Sequence, residues 1–304
     1  MGRRKKGRPL SGWLNFHKPL GMTSTQAVGK TRWLLGAQKA GHAGTLDPLA
    51  SGILPIAFGE ATKVLPFLVD ARKTYRFEVT WGRATSTDDL EGETIATSDV
   101  LPDLQAIETA LPQFIGSISQ VPPAFSAIKV DGKRAYDLAR AGEDVTLKAR
   151  TVEVHELTLI DVQADRALFD VLCGKGTYVR SLARDLADAL GTQGHVSLLQ
   201  RRQVGPFGLE DAISLEKLEA TRHKPSLLAP LETVLDDIPA LAVSAQDAQK
   251  VRHGQAIHTQ EHRDGDVLLT CNGQALALAQ VTGPMVQPRR VFQLSEDQLD
   301  EGET

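Results

Sequence analysis

The sequence predicts an α+β fold in two domains, and three observations support this prediction. The chain has 304 residues, of which 41% are apolar and 24% are charged, a composition typical of a globular protein with a sizeable core. Its length exceeds the roughly 100–200 residues of a single domain. Helical and strand periodicities both occur in the first part of the chain, whereas the part from about residue 238 onward has the pattern of β structure.

Three segments carry the signals of amphipathic helices. Thr23 or Ser24 can cap a first helix, and Gly36 can terminate it. Apolar spacing predicts two further helices, over residues 102–111 and 181–190. The side chains expected to face the core are Ala27, Val28, Thr31, Leu34 and Leu35 in the first helix, Leu104, Ile107 and Leu111 in the second, and Leu182, Leu186 and Leu190 in the third.

Strands are indicated by alternating apolar and polar residues. This alternation predicts strands over residues 74–81, 152–160 and 167–173. Residues 267–271 and 274–281 flank Asn272-Gly273, and this dipeptide is the strongest short signal for a β-hairpin. A small β domain is therefore expected at the carboxyl end of the chain.

The segments between these elements are predicted to be less regular. Residues 36–62, which hold Gly41, Gly44, Gly52 and Gly59, are expected to form a long loop with short elements, and residues 83–93 a polar loop. Residues 122–150 begin with two prolines and include six cationic side chains. They are interpreted as an excursion inserted into the sheet, with a turn at Asp131-Gly132 and a short helix over residues 135–140.

The net charge of −4 conceals a gradient along the chain. Residues 1–50 contain nine Lys or Arg and one acidic residue, Asp47, so the other 254 residues carry a net charge of −12. A basic amino end can neutralise phosphates even when the whole chain is acidic. Solvated tails at both ends are the alternative interpretation of this gradient.

Cysteine use and hydropathy exclude several classes of protein. Cys173 and Cys271 are far apart, and no Cys/His cluster exists, so neither a disulfide framework nor a zinc site is expected. The two free cysteines suit the reducing cytoplasm. No apolar run approaches the roughly 20 residues that a membrane span requires. His258 and His262 have helical spacing, but no glutamate follows His258, so no metal is predicted.

The loop over residues 41–52 has the strongest chemical signal in the sequence. Its single acid, Asp47, lies between apolar neighbours, and Pro48 biases its backbone toward an extended conformation. A carboxylate fixed in a partly apolar pocket can act as a nucleophile or as an acid–base group. An ordinary Asp–Pro turn is the alternative.

An ordered series of motifs places the sequence close to a known family. The motifs are KPLGMTS (18–24), GHAGTLDPLA (41–50), GEATK (59–63), KTY (73–75), PPAFSAIK (122–129), GTYVRSLARDL (176–186), HxxxL (195–199) and GPF (205–207). In this series the chain resembles the bacterial TruB-type tRNA pseudouridine synthases over roughly residues 11–210. The resemblance implies an isomerase that converts uridine 55 in the TΨC loop of tRNA to pseudouridine, without a cofactor, on a base flipped out of its stack.

The resemblance also implies a domain plan. A basic flexible arm is expected over residues 1–10, and a catalytic domain with a mixed, largely antiparallel sheet over residues 11–237. The basic excursion at 122–150 corresponds to the thumb insertion with which the family grips RNA, a segment expected to become ordered on binding. A small PUA-like β-barrel with an acidic tail would occupy residues 238–304. The expected partner is the T-arm of tRNA, for a monomeric enzyme in the cytoplasm that does not bind membranes.

Three residues are implied to be catalytic. Asp47 aligns with the catalytic aspartate of the family, and Arg180 with its basic partner, which would keep the carboxylate ionised and oriented. Tyr75 aligns with a tyrosine that stacks on the target base and takes part in proton transfer at C5. Without the resemblance, Tyr75 reads as a core residue because it shares its strand face with Phe77 and Val79. Without the resemblance, Arg180 is interpreted equally well as a surface cation or as a functional residue.

Further residues are implied to contact the substrate. Tyr178 and Leu199 match residues that line the uridine pocket, and His42 matches a histidine that fills the gap left by flipped-out nucleotides. The candidate phosphate contacts are Lys18, Lys63, Lys129 and Arg134.

Two other functions remain open from the sequence. One is an RNA-folding helper that binds and remodels tRNA, with catalysis secondary. The other is a hydrolase that cleaves a glycosidic bond, a reaction that usually needs two carboxylates, whereas the 41–52 loop has only Asp47.

Overall fold

Two β-sheets organise the chain, which is seen here in a computed structural model that describes residues 7–126, 128–130, 132–143, 145–260 and 264–294. The strands in these residues are β1 (Gly12–Lys18), β2 (Ala40–His42), β3 (Ala50–Phe58), β4 (Lys73–Trp81), β5 (Arg83–Thr85), β6 (Thr94–Thr97), β7 (Gly116–Gln120), β8 (Lys129–Val130), β9 (Lys133–Arg134), β10 (Arg150–Gln163), β11 (Arg166–Cys173), β12 (Gly194–Val204), β13 (Phe207–Gly208), β14 (Ala240–Ala242), β15 (Ile257–His258), β16 (Gly265–Cys271), β17 (Gln274–Thr282) and β18 (Met285–Val291).

Helices cover the sheets and connect their strands. The α-helices in the described residues are α1 (Ser24–Leu35), α2 (Leu65–Asp70), α3 (Leu104–Ala110), α4 (Ala135–Arg140), α5 (Val179–Ala189), α6 (Leu215–Ala220) and α7 (Ala245–Arg252). Single 3₁₀ turns occur at Gly59–Lys63, Leu111–Phe114, Lys224–Leu227 and Leu231–Val234.

The larger sheet forms the body of the amino-terminal region. Its strands run in the order β1-β3-β12-β4-β11-β10-β7, with β2 paired to β3 and β13 to β12. All pairings are antiparallel except that of β12 with β3, so the mixed, largely antiparallel sheet predicted from the sequence is confirmed. The parallel β3–β12 contact is central here, because it brings the loop before β3 next to the middle of the sheet.

One face of this sheet carries the main core. The side chains of β4 alternate between buried and half-buried, as the sequence predicts. Phe77 stacks on Phe169 of β11 with ring centroids 5.2 Å apart, and Trp81 meets Phe169 edge-on. Helix α5 closes this core with Leu182 and Leu186, both fully buried.

The first helix agrees closely with its sequence signals. Thr23 is the N-cap, and its hydroxyl accepts a hydrogen bond from the Gln26 N–H while the Gln26 side chain accepts one from the Thr23 N–H. Gly36 ends the helix in the left-handed conformation, with φ of +61°.

The long loop predicted for residues 36–62 is wrong. Nine of these residues form β3, and all of them except Ser51 are buried. A strand buried on both faces has no alternation, and its internal glycine and proline suggested a break in structure. Gly52 has φ of +104°, and the backbone of Arg201 in β12 leaves no room for a Cβ there, which would lie 2.2 Å from the Arg201 carbonyl oxygen.

Three smaller expectations also need correction. Leu104 is 53% exposed, whereas Ile107 and Leu111 are buried as expected and Ala110 joins them in the core. Leu190 is only half-buried, since α5 ends one residue before it. Part of the predicted polar loop at 83–93 forms strand β5, which pairs with β6.

Residues 8–10, which the sequence analysis assigned to the basic flexible arm, belong to the described fold. Residues 1–6 lie outside the described residues. The Arg8 N–H donates to the Gly36 carbonyl at 2.7 Å, and Leu10 belongs to the main core with 6% exposure. The apolar side chain of Leu10 therefore holds this part of the predicted arm against the domain.

The carboxyl-terminal region forms its own sheet, in the order β14-β16-β17-β18-β15. The predicted hairpin is confirmed, with Asn272 and Gly273 both at positive φ between β16 and β17. A shared apolar cluster, which includes Trp13 and Phe292, joins this sheet to the amino-terminal region. No helix in the described ranges is long and apolar enough to cross a membrane.

We expect Gly52→Ala to destabilise the fold by about 3 kcal/mol or more, because the new Cβ would lie 2.2 Å from the Arg201 carbonyl oxygen. Gly254→Ala is the matched control, since its φ is +75° and nothing lies within 4 Å of the added Cβ. Backbone strain alone should cost the control about 1–2 kcal/mol. Urea denaturation measures both values, and equal losses would contradict the close approach of β3 and β12.

Candidate active site

A cleft of about 360 Å³ opens beside the loop that precedes β3. Most of its wall is apolar, formed by Leu20, Leu49, Leu90, Leu168, Leu198 and Leu199. Its charged groups are Asp47, Arg76, Asp89 and Arg180. An apolar cleft with a few converging polar groups is the usual form of a ligand site.

The loop that carries Asp47 is held from both sides. The Ser24 hydroxyl at the start of α1 donates to the Leu46 carbonyl at 3.0 Å and accepts from the Leu46 N–H at 2.9 Å. The Gly21 N–H donates to the Pro48 carbonyl at 2.8 Å, and the Ala50 N–H to the Asp47 carbonyl at 3.1 Å. These bonds fix the backbone on both sides of Asp47, whose side chain remains 38% exposed.

Arg180 connects this loop to α5. Its side chain is only 6% exposed, and its Nη2 lies 2.9 Å from Oδ2 of Asp47. The same Nη2 donates to the Phe125 carbonyl at 3.0 Å, and Nη1 donates to the Thr87 carbonyl at 2.9 Å. The structure thus brings together the carboxylate and the arginine that the sequence analysis paired.

Asp89 is a second carboxylate in the cleft that the sequence analysis missed. Its Oδ2 lies 3.6 Å from Nε of Arg180. Its Oδ1 accepts from the Thr87 hydroxyl at 2.5 Å and from the Glu91 N–H at 3.0 Å. Asp89 falls in a polar stretch without periodicity, so no sequence signal distinguished it from the acids around it.

Lys18 is not available for phosphate contact, and that expectation is wrong. The residue is fully buried, and its Nζ donates to the carbonyls of Met22 at 2.7 Å and Pro19 at 3.0 Å. Burial lowers the pKa of Lys18 to about 8, although the negative charge of Asp47 acts in the opposite direction. Lys18 therefore supports the loops beside Asp47 from inside the domain.

Arg201 is a further buried cation that the sequence analysis missed. It is 1% exposed, and its guanidinium donates to the carbonyls of Ile53 at 2.7 Å and Gly44 at 3.1 Å. Through these bonds β12 holds the loop before β3. Burial raises the pKa of the Tyr75 phenol, while a hydrogen bond and the positive charge of Arg201 act to lower it.

The other implied pocket residues differ in position. Leu199 lines the cleft, whereas Tyr75, Tyr178 and His42, all among the described residues, do not. Tyr75 is 8% exposed and belongs to the main core, as the alternative interpretation had it. Tyr178 directly precedes α5, and the Arg150 guanidinium lies over its ring at 5.0 Å. Burial lowers the pKa of His42, which keeps the ring neutral at pH 7.

The remaining phosphate candidates are Lys63, Lys129 and Arg134. Lys63 contacts Glu60 at 2.6 Å and donates to the Val291 carbonyl at 2.7 Å, so its ammonium links the 3₁₀ turn at Gly59–Lys63 to strand β18 of the carboxyl-terminal sheet. Lys129 and Arg134 lie in the β8–β9 hairpin, and their side chains lie outside the described part of the structure. Among the described residues, no three His, Cys, Asp or Glu side chains form a cluster that could hold a metal ion.

Comparison with protein families and relatives agrees with the motif series. The profile of the TruB family pseudouridylate synthase N-terminal domain matches residues 32–179, and that of the tRNA pseudouridylate synthase B C-terminal domain matches residues 180–236. A tRNA pseudouridine synthase B from Bradyrhizobium diazoefficiens is 52% identical over 96% of this chain and 88% of its own length. One from Caulobacter vibrioides is 51% identical over 97% of this chain and 100% of its own.

Solved structures show the same fold. A Cbf5–Nop10–Gar1 complex matches with a TM-score of 0.69 and 26% identity, over 93% of this chain and 85% of the other. An H/ACA RNP bound to a substrate RNA that contains 2′-deoxyuridine matches with a TM-score of 0.70 and 23% identity, over 97% and 92%. The fold and the family matches define the protein as a pseudouridine synthase. In particular, the chain belongs to the TruB family, as its motifs predicted.

We expect the free energy of unfolding of the wild type to rise between pH 8 and 10.5 relative to that of Lys18→Met. Because the folded pKa is lowered to about 8 from 10.5, the folded protein has lost this proton in that range while the unfolded chain still holds it. The gain should total about 3 kcal/mol. Denaturant titrations of both proteins over this pH range measure it, and parallel curves would show that Lys18 is not desolvated.

Proposed function

We propose that this enzyme isomerises uridine 55 in the TΨC loop of tRNA to pseudouridine, with Asp47 as the catalytic group and without a cofactor. The observation that carries this proposal is the contact of 2.9 Å between Asp47 and the buried Arg180 at an apolar cleft. The names of the relatives support tRNA as the substrate. We also infer that the enzyme works as a monomer in the cytoplasm.

The reaction rearranges a single nucleoside. The N1–C1′ glycosidic bond breaks, a C5–C1′ bond forms, the C5 proton leaves to solvent, and N1 takes up a proton. No oxidant, reductant or second substrate is required by this balance. A carboxylate near C1′ or C6 can serve it, either as a nucleophile or as a base.

The cleft suits a detached uracil ring. Leu168, Leu198 and Leu199 offer an apolar wall for a flat base, and a volume of about 360 Å³ admits one. Exclusion of water there would strengthen the interaction between Asp47 and the reacting atoms. A base inside an RNA stack cannot reach such a cleft, so the target uridine must be flipped out of the loop.

Arg180 would keep the charge and direction of the Asp47 carboxylate constant during the reaction. A guanidinium that is itself fixed by backbone carbonyls gives the carboxylate one orientation. We infer that Tyr75, which lies in the core beside the cleft loop, contacts the base when RNA is bound, and that Tyr178 and His42 contact the RNA around it. Phosphate contacts are assigned to the insertion, through Lys129 and Arg134.

The two alternative functions make different demands on Asp47. An RNA-folding helper would retain its role without the carboxylate. A glycosidic hydrolase would need a second acid that donates a proton, whereas Asp89, the other carboxylate of the cleft, accepts hydrogen bonds from the Thr87 hydroxyl and the Glu91 N–H and lies 3.6 Å from Nε of Arg180. The geometry therefore favours isomerisation over hydrolysis.

We expect Asp47→Asn to lower the rate of tritium release from a tRNA transcript labelled at uridine C5 by roughly 10²–10⁴-fold, because the amide can act neither as nucleophile nor as base. Affinity for tRNA should remain within about twofold, since one neutralised side chain removes no phosphate contact. Filter binding measures the affinity on the same transcript.

The matched control is Asp70→Asn, which removes an exposed carboxylate paired with Lys175 and should turn over like the wild type. Turnover by Asp47→Asn at the wild-type rate would refute the role of Asp47. Release of free uracil by the wild type would favour the hydrolase. A wild type that binds tRNA without tritium release would favour the folding helper.

A further inference from the structure

The insertion leaves the sheet after β7 and rejoins it at β10. Both points lie next to the start of α5, where Arg180 is located. We call residues 120–126 together with Arg150 the neck of the insertion. Gln120 is the last residue of β7 and Arg150 the first of β10, and the two are directly paired across these strands. Every displacement of the insertion relative to the sheet must therefore pass through the neck.

Gln120 binds the backbone of Tyr178 with both ends of its amide. Its Oε1 accepts from the Tyr178 N–H at 2.8 Å, and its Nε2 donates to the Tyr178 carbonyl at 3.1 Å. The side chain is fully buried, so no water can replace these bonds without a change in packing. Tyr178 is the residue before α5, two positions from Arg180.

Arg150 holds the same segment from the other strand of the neck. Its guanidinium donates to the Gly176 carbonyl and lies over the ring of Tyr178, with 5.0 Å between Cζ and the ring centroid. The two ends of the insertion thus both contact residues 176–178.

The first turns of α5 also bind the neck. The buried Ser181 hydroxyl donates to the Val121 carbonyl at 2.8 Å, and Nη2 of Arg184 donates to the same carbonyl at 2.8 Å. Carbonyl oxygens accept two hydrogen bonds, so this one is saturated. The hydrogen bonds from Ser181 and Arg184 therefore fix the neck backbone to helix α5 at Val121.

The closest link joins the neck directly to the catalytic pair. Nη2 of Arg180 has two hydrogens, and its two acceptors are Oδ2 of Asp47 at 2.9 Å and the Phe125 carbonyl at 3.0 Å. A shift of the Phe125 carbonyl would thus alter the direction in which Arg180 faces Asp47. Of the residues that make these contacts, Arg180 and Asp47 line the cleft and the others do not.

We propose that the neck positions Arg180 against Asp47, so that the placement of the insertion on RNA sets the geometry of the catalytic pair. Gln120 is the positioning residue of this device, and Ser181 supports it. The proposal rests on the proposed function, because it assigns to the RNA-gripping segment a second task in the same reaction.

The test compares the rate of the chemical step with affinity for tRNA. Gln120→Met keeps the length and bulk of the side chain but removes both hydrogen bonds to Tyr178. We expect the single-turnover rate constant for tritium release at saturating enzyme to fall about tenfold. The enzyme concentration that gives half of the maximal rate should stay within about twofold of the wild type. Ser181→Ala, which leaves Arg184 on the Val121 carbonyl, should lower the rate constant about threefold.

The matched control is Thr192→Val, at a position three residues beyond the carboxyl end of α5. Thr192 is 2% exposed, and its hydroxyl donates to the Val100 carbonyl at 2.6 Å, so the variant also loses a buried hydrogen bond. It should lower the melting temperature as Gln120→Met does, but keep the wild-type rate constant. This control separates positioning of Arg180 from a general loss of stability.

Three outcomes would overturn the proposal. The first is an equal fall in the rate constant for Thr192→Val and Gln120→Met. The second is a loss of affinity for tRNA by Gln120→Met without a change in its rate constant. The third is a wild-type rate constant in both neck variants, Gln120→Met and Ser181→Ala. If Gln120→Met fails to fold, the rate constant of Ser181→Ala decides. A wild type that releases no tritium would contradict the proposed function itself, whereas an active wild type beside unaffected neck variants would contradict the neck alone.

Discussion

The burial of one arginine constrains the rest of this structure. A guanidinium that is 6% exposed must have its charge balanced and its donors satisfied by protein groups. Arg180 meets this requirement with Asp47, Asp89 and the carbonyls of Thr87 and Phe125. These partners come from three separate segments of the chain, so the loop before β3, the loop after β5 and the neck must all converge on α5. The same convergence that stabilises the charge forms the polar end of the cleft.

A second buried arginine, Arg201 of β12, supports the same loop. The parallel contact of β3 with β12 needs a residue without a side chain at Gly52, because Arg201 passes above it. The Arg201 guanidinium then donates to carbonyls on both sides of the turn that carries Asp47. Lys18 completes the support by donating to the backbone next to this turn. Arg180, Arg201 and Lys18 thus hold the loop before β3, while the side chain of Asp47 in this loop remains accessible to substrate.

Much of the architecture could be predicted from the sequence, and the failures have physical causes. The cap at Thr23, the alternation in β4 and the Asn272-Gly273 hairpin are local signals, and each appears in the structure as expected. Strand β3 was missed because burial on both faces removes the alternation by which strands are recognised. The partnership of Asp47 with Arg180 followed from family resemblance alone, since the two residues are far apart in the chain. The roles of Asp89 and Lys18 could not be predicted from the sequence, because burial and long-range partners decide whether a charged residue forms the site or supports it.

The most direct test of this account is the single-turnover rate of Arg180→Lys on a tRNA labelled at uridine C5, with circular dichroism to verify the fold. Lysine preserves the positive charge but cannot bind Asp47, Thr87 and Phe125 in one plane, since its ammonium is a point donor. If the arginine orients the catalytic carboxylate, the rate constant should fall by about 10²-fold while tRNA affinity is retained. A folded Arg180→Lys enzyme with the wild-type rate constant would contradict the central claim, because charge alone would then suffice beside Asp47.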